Sequence, residues 1–255
     1  MAVIWQKQHN GKHYEVRTAG KTHRLYTDGV FHSQYNPDRT LTGNVWDLIS
    51  LPAFFIEPDQ IRRVLVLGVG GGAVMHQLAT WFPEASITGI ELDKTHISIA
   101  KKFFGLKGKQ MEIIQADAIS WVKRYRGLPF DIIIDDLFGE QEGEPVRVIE
   151  ATDAWLNDLS RLLTDHGMLI MNFISSQQLR NSALLSDKKL SSKKWQRVFK
   201  MAYRFMTPLY ENQIGAFLKT AQKKNQWRKH ISLQQQLERE YEAGKSKYQI
   251  RKLYG

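Results

Sequence analysis

The chain has 255 residues, enough for one large domain with a small appendage, and its lack of cysteine excludes disulfides, thiolate metal sites and a cysteine nucleophile. Its net charge of +10 is concentrated, because residues 1–185 hold 19 Lys/Arg and 21 Asp/Glu while residues 186–255 hold 17 and 5. No apolar stretch approaches the roughly 20 residues that span a bilayer, and the polar N-terminus has no signal-peptide core, so a cytoplasmic location with no membrane partner is expected.

The first 40 residues read as antiparallel. Val3-Ile4-Trp5 and His13–Val16 flank Asn10-Gly11, and Arg24-Leu25-Tyr26 and Val30-Phe31-His32 flank Asp28-Gly29, both favoured hairpin dipeptides. A β-module over 1–43 is therefore expected ahead of a main domain over 44–220. Val45–Phe55 reads as a helix leading into that domain.

From Arg63 the pattern alternates between short apolar runs and helical periods, which predicts an α/β fold with a doubly wound, mainly parallel sheet. The expected strands are Arg63–Leu67, Ser86–Glu91, Met111–Gln115, Phe130–Asp135 and Met168–Phe173. Helices are expected over Ala73–Trp81, Lys94–Phe104 (capped by Asp93), Ala118–Tyr125 and Ala154–Leu163 (capped by Thr152 or Asp153). Gly139 to Pro145 reads as a polar loop, and Ser192–Met206 as one basic amphipathic helix. Leu209-Tyr210 and Ile214–Leu218 suit an antiparallel pair at the sheet edge. Residues 221–255 read as a charged tail, helical or partly disordered.

The chemistry-bearing residues fall at strand ends. Gly68-Val69-Gly70-Gly71-Gly72-Ala73 follows the first parallel strand, where glycines allow a sharp turn and bring backbone N–H groups to a ligand at a helix start. Glu91, at the end of the next strand, is placed to accept hydrogen bonds from ribose hydroxyls, with Leu92 beside it. Asp117, followed by Ala118, suits the exocyclic amine of an adenine, because an ionised carboxylate only accepts. Asp136 lies at the mouth, where a second substrate would meet the reactive atom of the cofactor.

A nicotinamide dehydrogenase would share the glycine turn and Glu91. The third acid, in Gln115-Ala116-Asp117-Ala118, and the terminal edge pair favour the sheet variant that binds S-adenosylmethionine.

Asp135 and Asp136 adjoin, so in an extended strand only one of them faces the crevice. Asp136 is taken as catalytic, with Asp135 and Asp131 structural, and Asn172 reads as a turn or cap residue in preference to a substrate contact. The eight histidines show no metal-ligand spacing, so no metal is expected, and His9, His13, His23 and His32 read as surface or packing residues. The C-terminal basic residues include Lys188-Lys189, Lys193-Lys194, Lys223-Lys224, Arg228-Lys229, Lys245, Lys247 and Arg251-Lys252, interleaved with Trp195, Trp227, Tyr241 and Tyr248. Such a pattern can follow a nucleic-acid backbone, but no nucleic-acid motif appears, and a solvated tail is favoured.

These motifs together resemble the spermidine synthase (polyamine aminopropyltransferase) superfamily of class I S-adenosylmethionine folds. Leu25–Val30, Val64–Gly72, Ile90–Asp93, Lys102-Phe103-Phe104, Ala116-Asp117-Ala118, Phe130–Asp136 and Gly167–Ile170 carry the resemblance in order and spacing. It implies that Asp136 is the catalytic aspartate, that Gly68, Gly70, Gly71, Gly72, Glu91, Leu92, Asp117 and Ala118 hold the cofactor, and that the β-module supports a homodimer.

Three departures bear on the reaction. Gly71 stands where the family has an aspartate that pairs with the amine of decarboxylated S-adenosylmethionine and would repel the carboxylate of the undecarboxylated form. Gly139 replaces a polyamine-binding aspartate, with Glu140 adjacent, and the family's Tyr-His-Glu run is absent where Asn44–Asp47 stands. S-adenosylmethionine with methyl transfer to a small acceptor is therefore expected. Aminopropyl transfer from the decarboxylated cofactor to an amine is the competing reading. An RNA methyltransferase and a catalytically silent sensor stand as further readings.

Overall fold

The structure, a computed structural model, describes residues 1–141, 144–186, 190–244 and 247–255. Ala2–His9 (β1), Lys12–Ala19 (β2), Thr22–Thr27 (β3) and Val30–Tyr35 (β4) form a four-stranded antiparallel sheet in chain order. Asn10 and Gly11 turn with positive φ (49° and 76°), as do Asp28 and Gly29 (50° and 85°). Two consecutive left-handed residues match the twist of the flanking strands, which is why these dipeptides make two-residue hairpins.

The main sheet has eight strands. Arg63–Leu67 (β5), Ser86–Glu91 (β6), Met111–Gln115 (β7), Phe130–Asp135 (β8) and Leu163–Phe173 (β11) run parallel, in the order β11-β8-β5-β6-β7. Chain order thus reverses between β8 and β5, and a crevice opens at the carboxyl ends of strands on either side of such a point. Their cores, such as Val64–Leu67 and Ile132–Ile134, are buried on both faces, as continuous apolar runs require.

Two apolar layers sandwich the sheet. One joins the β-module to Val45–Ser50 (α1), Ala73–Trp81 (α2) and Lys94–Phe103 (α3). The other lies under Ala118–Arg124 (α4), Asp153–Arg161 (α5), Ser176–Asn181 (α6) and Leu190–Val198 (α7).

Four expectations are corrected. The helix over 45–55 is α only to Ser50 and continues as a 3-10 turn over Leu51–Phe55, where Pro52 cannot donate to an α-helical ladder. The loop over 139–145 is instead a hairpin of Phe138–Gln141 (β9) and Glu144–Arg147 (β10), with residues 142 and 143 outside the described residues. The helix over Ser192–Met206 stops at Val198, and Met201–Thr207 (β12) is a strand. Its Tyr203 and Phe205 pack into one apolar layer and Ala202 into the other, a period of two. β12 pairs with Tyr210–Leu218 (β13), which in turn pairs antiparallel with β11.

The fourth correction concerns the tail. Lys224–Ser232 (α8) and Gln235–Gly244 (α9) pack on the first layer, and Gln249–Tyr254 (β14) adds an antiparallel strand outside β12. β14 therefore forms that edge of the sheet, and Tyr210 and Ile214–Leu218, expected in two paired strands, lie in the single strand β13 between β12 and β11. Trp227 is buried and its indole N–H donates to the Leu51 carbonyl at 2.8 Å. Tyr248 donates to the buried Asp47 at 2.8 Å. Apolar residues four apart, Trp227 with Ile231 and Leu237 with Tyr241, supply the buried stripes within a charged sequence. Lys188, Lys189 and Lys245 lie outside the described residues. No helix among the described residues is long and apolar enough to cross a membrane.

Candidate functional site

The glycine turn leaves β5 beside the end of β8. Gly68 has φ +83°, and a Cβ there would lie 2.3 Å from the Asp136 carbonyl oxygen, so only glycine lets the two strand ends approach this closely. A Cβ on Gly71 would meet Ser33 Cβ at 2.6 Å and Phe104 Cε1 at 3.0 Å. The space above Gly71 is therefore filled by β4 and the end of α3. Gly72 precedes α2 with its N–H on the Val69 carbonyl, and the Ala73 N–H donates to Ser33 Oγ at 3.2 Å.

This turn does not hold out all its N–H groups to a ligand, as the sequence suggested. Glu91 Oε2 accepts from the N–H groups of Val69 (3.0 Å) and Gly70 (2.8 Å), and Oε1 accepts from the Asp93 N–H at 2.8 Å. The carboxylate of Glu91 thus ties the end of β6 to the glycine turn. Burial raises its pKa, and these three N–H donors oppose the rise.

Around Glu91 the β-module contributes more than the sequence indicated. The His32 carbonyl lies against Gly70, and the His32 and His96 rings are 5.0 Å apart. Burial pushes both imidazoles down to about 4, and for His32 the neighbouring His96 adds to the effect, so both are neutral at pH 7. Thr27 Oγ1 lies 2.8 Å from His96 Nε2, and Tyr14 donates to Asp93 at 2.7 Å. His32, read from sequence as a surface or packing residue, therefore flanks the crevice. Only its position one strand beyond the Asp28-Gly29 hairpin could have flagged it.

Leu92 is 68% exposed, an apolar side chain presented at the rim beside Glu91. Asp117 is exposed and caps α4, accepting the Ser120 N–H at 2.8 Å; the Ser120 side chain and then this N–H lower its pKa. Ala118 is buried beneath it.

At the end of β8 the two adjacent aspartates separate as expected. Asp135 is fully buried and accepts from Arg147 Nη2 and Trp155 Nε1, both at 2.8 Å. It anchors the β9–β10 hairpin and α5. Asp136 points the other way and accepts from Asn172 Nδ2 at 2.8 Å. Asn172 is buried and in turn accepts from Asn212 Nδ2 at 3.0 Å, while Arg147 donates to its carbonyl.

A chain Asn212–Asn172–Asp136 thus fixes the carboxylate. It gives Asn172 a role its sequence context did not, and it brings in Asn212, which no local motif marked. Burial pushes the Asp136 carboxyl up to about 6, against the Asn172 amide, with the charge of Asp135 adding to the rise. A carboxylate of that basicity can hold or accept a proton near neutral pH.

Asp131, by contrast, accepts the N–H groups of Arg62 and Arg63 at the far end of the sheet. No group of three or more His, Asp or Glu positioned for a metal occurs among the described residues.

Known proteins share this chain's sequence domain and its fold. The family model for the spermine/spermidine synthase domain matches residues 47–230. A polyamine aminopropyltransferase 2 of Caldanaerobacter subterraneus subsp. tengcongensis is 28% identical over 142 residues, covering 54% of this chain and 45% of that protein. The chain thus matches about half the length of such curated relatives. A probable spermidine synthase from Corynebacterium glutamicum superposes with a TM-score of 0.75 at 17% identity, over 99% of this chain and 91% of that one. Human methyltransferase-like protein 13 in complex with SAH superposes at 0.56 and 20% identity, over 76% and 90%. At these identities the two structures establish the α/β fold.

Proposed function

The chain belongs to the spermine/spermidine synthase family, and from that premise we propose a transferase that binds S-adenosylmethionine and moves its methyl group to a small acceptor, an amine in the first instance. The observation that carries the choice of cofactor is the closed space at Gly71. With Ser33 and Phe104 packed over it, the turn has neither a carboxylate to pair with a decarboxylated cofactor's amine nor room to grow one.

The residues present fit an adenosyl ligand. Glu91 spends three acceptor sites on backbone N–H groups and, with about four lone pairs on its two oxygens, keeps capacity for a ribose hydroxyl. Leu92 offers an apolar surface to a base, Asp117 is an exposed carboxylate able to accept from an exocyclic amine, and Ala118 leaves that corner small. Gly68, Gly70, Gly71 and Gly72 border the part of the ligand nearest the reaction. Asp136 and Asp117 end strands three spacings apart, about 14 Å at ~4.8 Å per strand, a span that suits an extended nucleoside.

When bound, the sulfonium supplies an electrophilic carbon, whose bond to sulfur breaks as the acceptor's lone pair forms the new bond, leaving a neutral thioether. Asp136 orients the acceptor through its N–H and receives the proton that the acceptor releases. Asn172 and Asn212 hold that carboxylate, so its contribution is mostly positioning of the nucleophile.

A second reading keeps aminopropyl transfer to an amine. The names of the curated relatives favour it, as does Glu140 on β9, close in sequence to Asp136. Isothermal titration calorimetry with both cofactor forms separates the two. Tighter binding of S-adenosylmethionine is expected; a preference for the decarboxylated form by about tenfold, ~1.4 kcal/mol, selects the second.

A further inference from the structure

Three arginines converge on the flank of the large sheet, away from the crevice. Arg204 on β12 and Arg251 on β14 are direct cross-strand partners, so their side chains emerge side by side on one face. That face is the layer of Ala202, Phe217, Leu253 and Tyr254. It is opposite the face on which Asn172 meets Asp136, and β12 is three strand spacings, about 14 Å, from β8. On the other side of Arg204 the register partner in β13 is Gly215, which offers no side chain. Helix α6 packs on β13 and β11 over this layer and carries Arg180 in its last turn.

Nothing in the described protein neutralises this group. Neither Arg180, Arg204 nor Arg251 has a carboxylate within ion-pair distance among the described residues. Arg204 is partly buried, and its Nε–H is fully shielded from solvent with no hydrogen-bond acceptor. Burial, then Arg251, then Arg180 lower its affinity for its proton. One neighbour on the same layer is also an unsatisfied donor, the hydroxyl of Tyr254.

Like charges directly opposite in a sheet oppose its pairing, and a buried donor without an acceptor adds to the cost. A planar guanidinium suits bidentate contact with phosphate oxygens, and it sheds its hydration more readily than an ammonium. An oxyanion seated between the strands and α6 would relieve the repulsion and meet the orphaned donors together.

We propose that Arg180, Arg204 and Arg251 form a binding site for the phosphate group of a small phosphorylated ligand. The site stands independently of the methyl-transfer reading.

The test uses the full chain and inorganic phosphate, titrated against chloride at matched ionic strength, with thermal unfolding and NMR shifts as readouts. A saturable rise in Tm specific to phosphate is expected, since a ligand that binds only the folded state stabilises it. R251Q and R180Q, at exposed positions, are expected to weaken phosphate binding by about tenfold. Without phosphate, R251Q is expected to melt at or above the parent temperature, because it removes a like charge facing Arg204. A purely structural arginine would move Tm the other way.

Phosphate no more effective than chloride overturns the proposal. So does an R251Q variant that binds phosphate like the parent. Binding confined to long single-stranded RNA, falling steeply with salt and indifferent to R180Q, also overturns it by assigning the charge to diffuse backbone attraction.

Discussion

Replacing Asp136 by Asn should make the protein more stable at neutral pH while abolishing transfer. The reasoning starts from the carboxyl at the end of β8, pushed up to about 6 from an ordinary 3.8, chiefly by burial. A folded-state pKa above the unfolded value means that the folded chain holds the proton more tightly than the unfolded chain. Stability is therefore lost from this group as pH rises from about 4 to about 6, and the loss is complete above that window.

Roughly two units correspond to about 3 kcal/mol at ~1.4 kcal/mol per unit. Partial solvent access at the crevice mouth reduces this to about 1–2 kcal/mol. Asn keeps the shape of the side chain, and its Oδ1 still accepts the Asn172 amide. Urea unfolding of parent and D136N between about pH 4 and pH 8 reads the difference. The two should converge at the acid end and separate by about 1–2 kcal/mol, in favour of D136N, at the neutral end. A D136N protein that is less stable at every pH, or a gap that does not change with pH, refutes the picture of a strained, desolvated carboxylate.

Asn172→Ala should raise the Asp136 pKa, followed by carbon NMR of the side-chain carboxyl, by about one unit, since a hydrogen bond to a charged group contributes about 1.5–3 kcal/mol. Asn212→Ala should shift it less and in the same direction; an unmoved titration in both variants dismisses the relay. Gly71→Ala should cost about 1–3 kcal/mol by overpacking against Ser33 and Phe104. Ser33→Gly should recover part of that loss, so strictly additive effects in the double-mutant cycle would contradict the packing argument. Trp227→Ala should cost about 3–5 kcal/mol and lower the single unfolding transition of the whole chain. An unchanged melt would return residues 221–255 to the status of a separate tail.

The elements that the sequence disclosed are those whose causes are local. Both hairpin turns follow from Asn10-Gly11 and Asp28-Gly29, which accept left-handed backbone without help from elsewhere. The parallel strands announce themselves because burial on both faces demands unbroken apolar runs, as in Val64–Leu67 and Ile132–Ile134. Asp93 and Thr152 cap their helices because a side chain and an N–H two or three residues on suffice. The strand-end acids, and the opposed directions of Asp135 and Asp136, follow from the same period-two rule.

What stayed illegible depends on partners far along the chain. Met201–Thr207 sits next to a basic amphipathic stretch and declares itself a strand only when β13 and β14 flank it. Charge made residues 221–255 look solvated, yet Trp227 reaches Leu51 and Tyr248 reaches Asp47 across more than 170 residues. Asn212 joins the candidate site through Asn172, and Ser33 closes Gly71 from another sheet. By itself, the sequence determined where the glycine turn and the strand-end acids lie, because those are properties of single strand ends. Only the tertiary structure decided what packs over that turn and which side chains hold Asp136, because side-chain volume and hydrogen-bond partners are set by whichever segments fold against them.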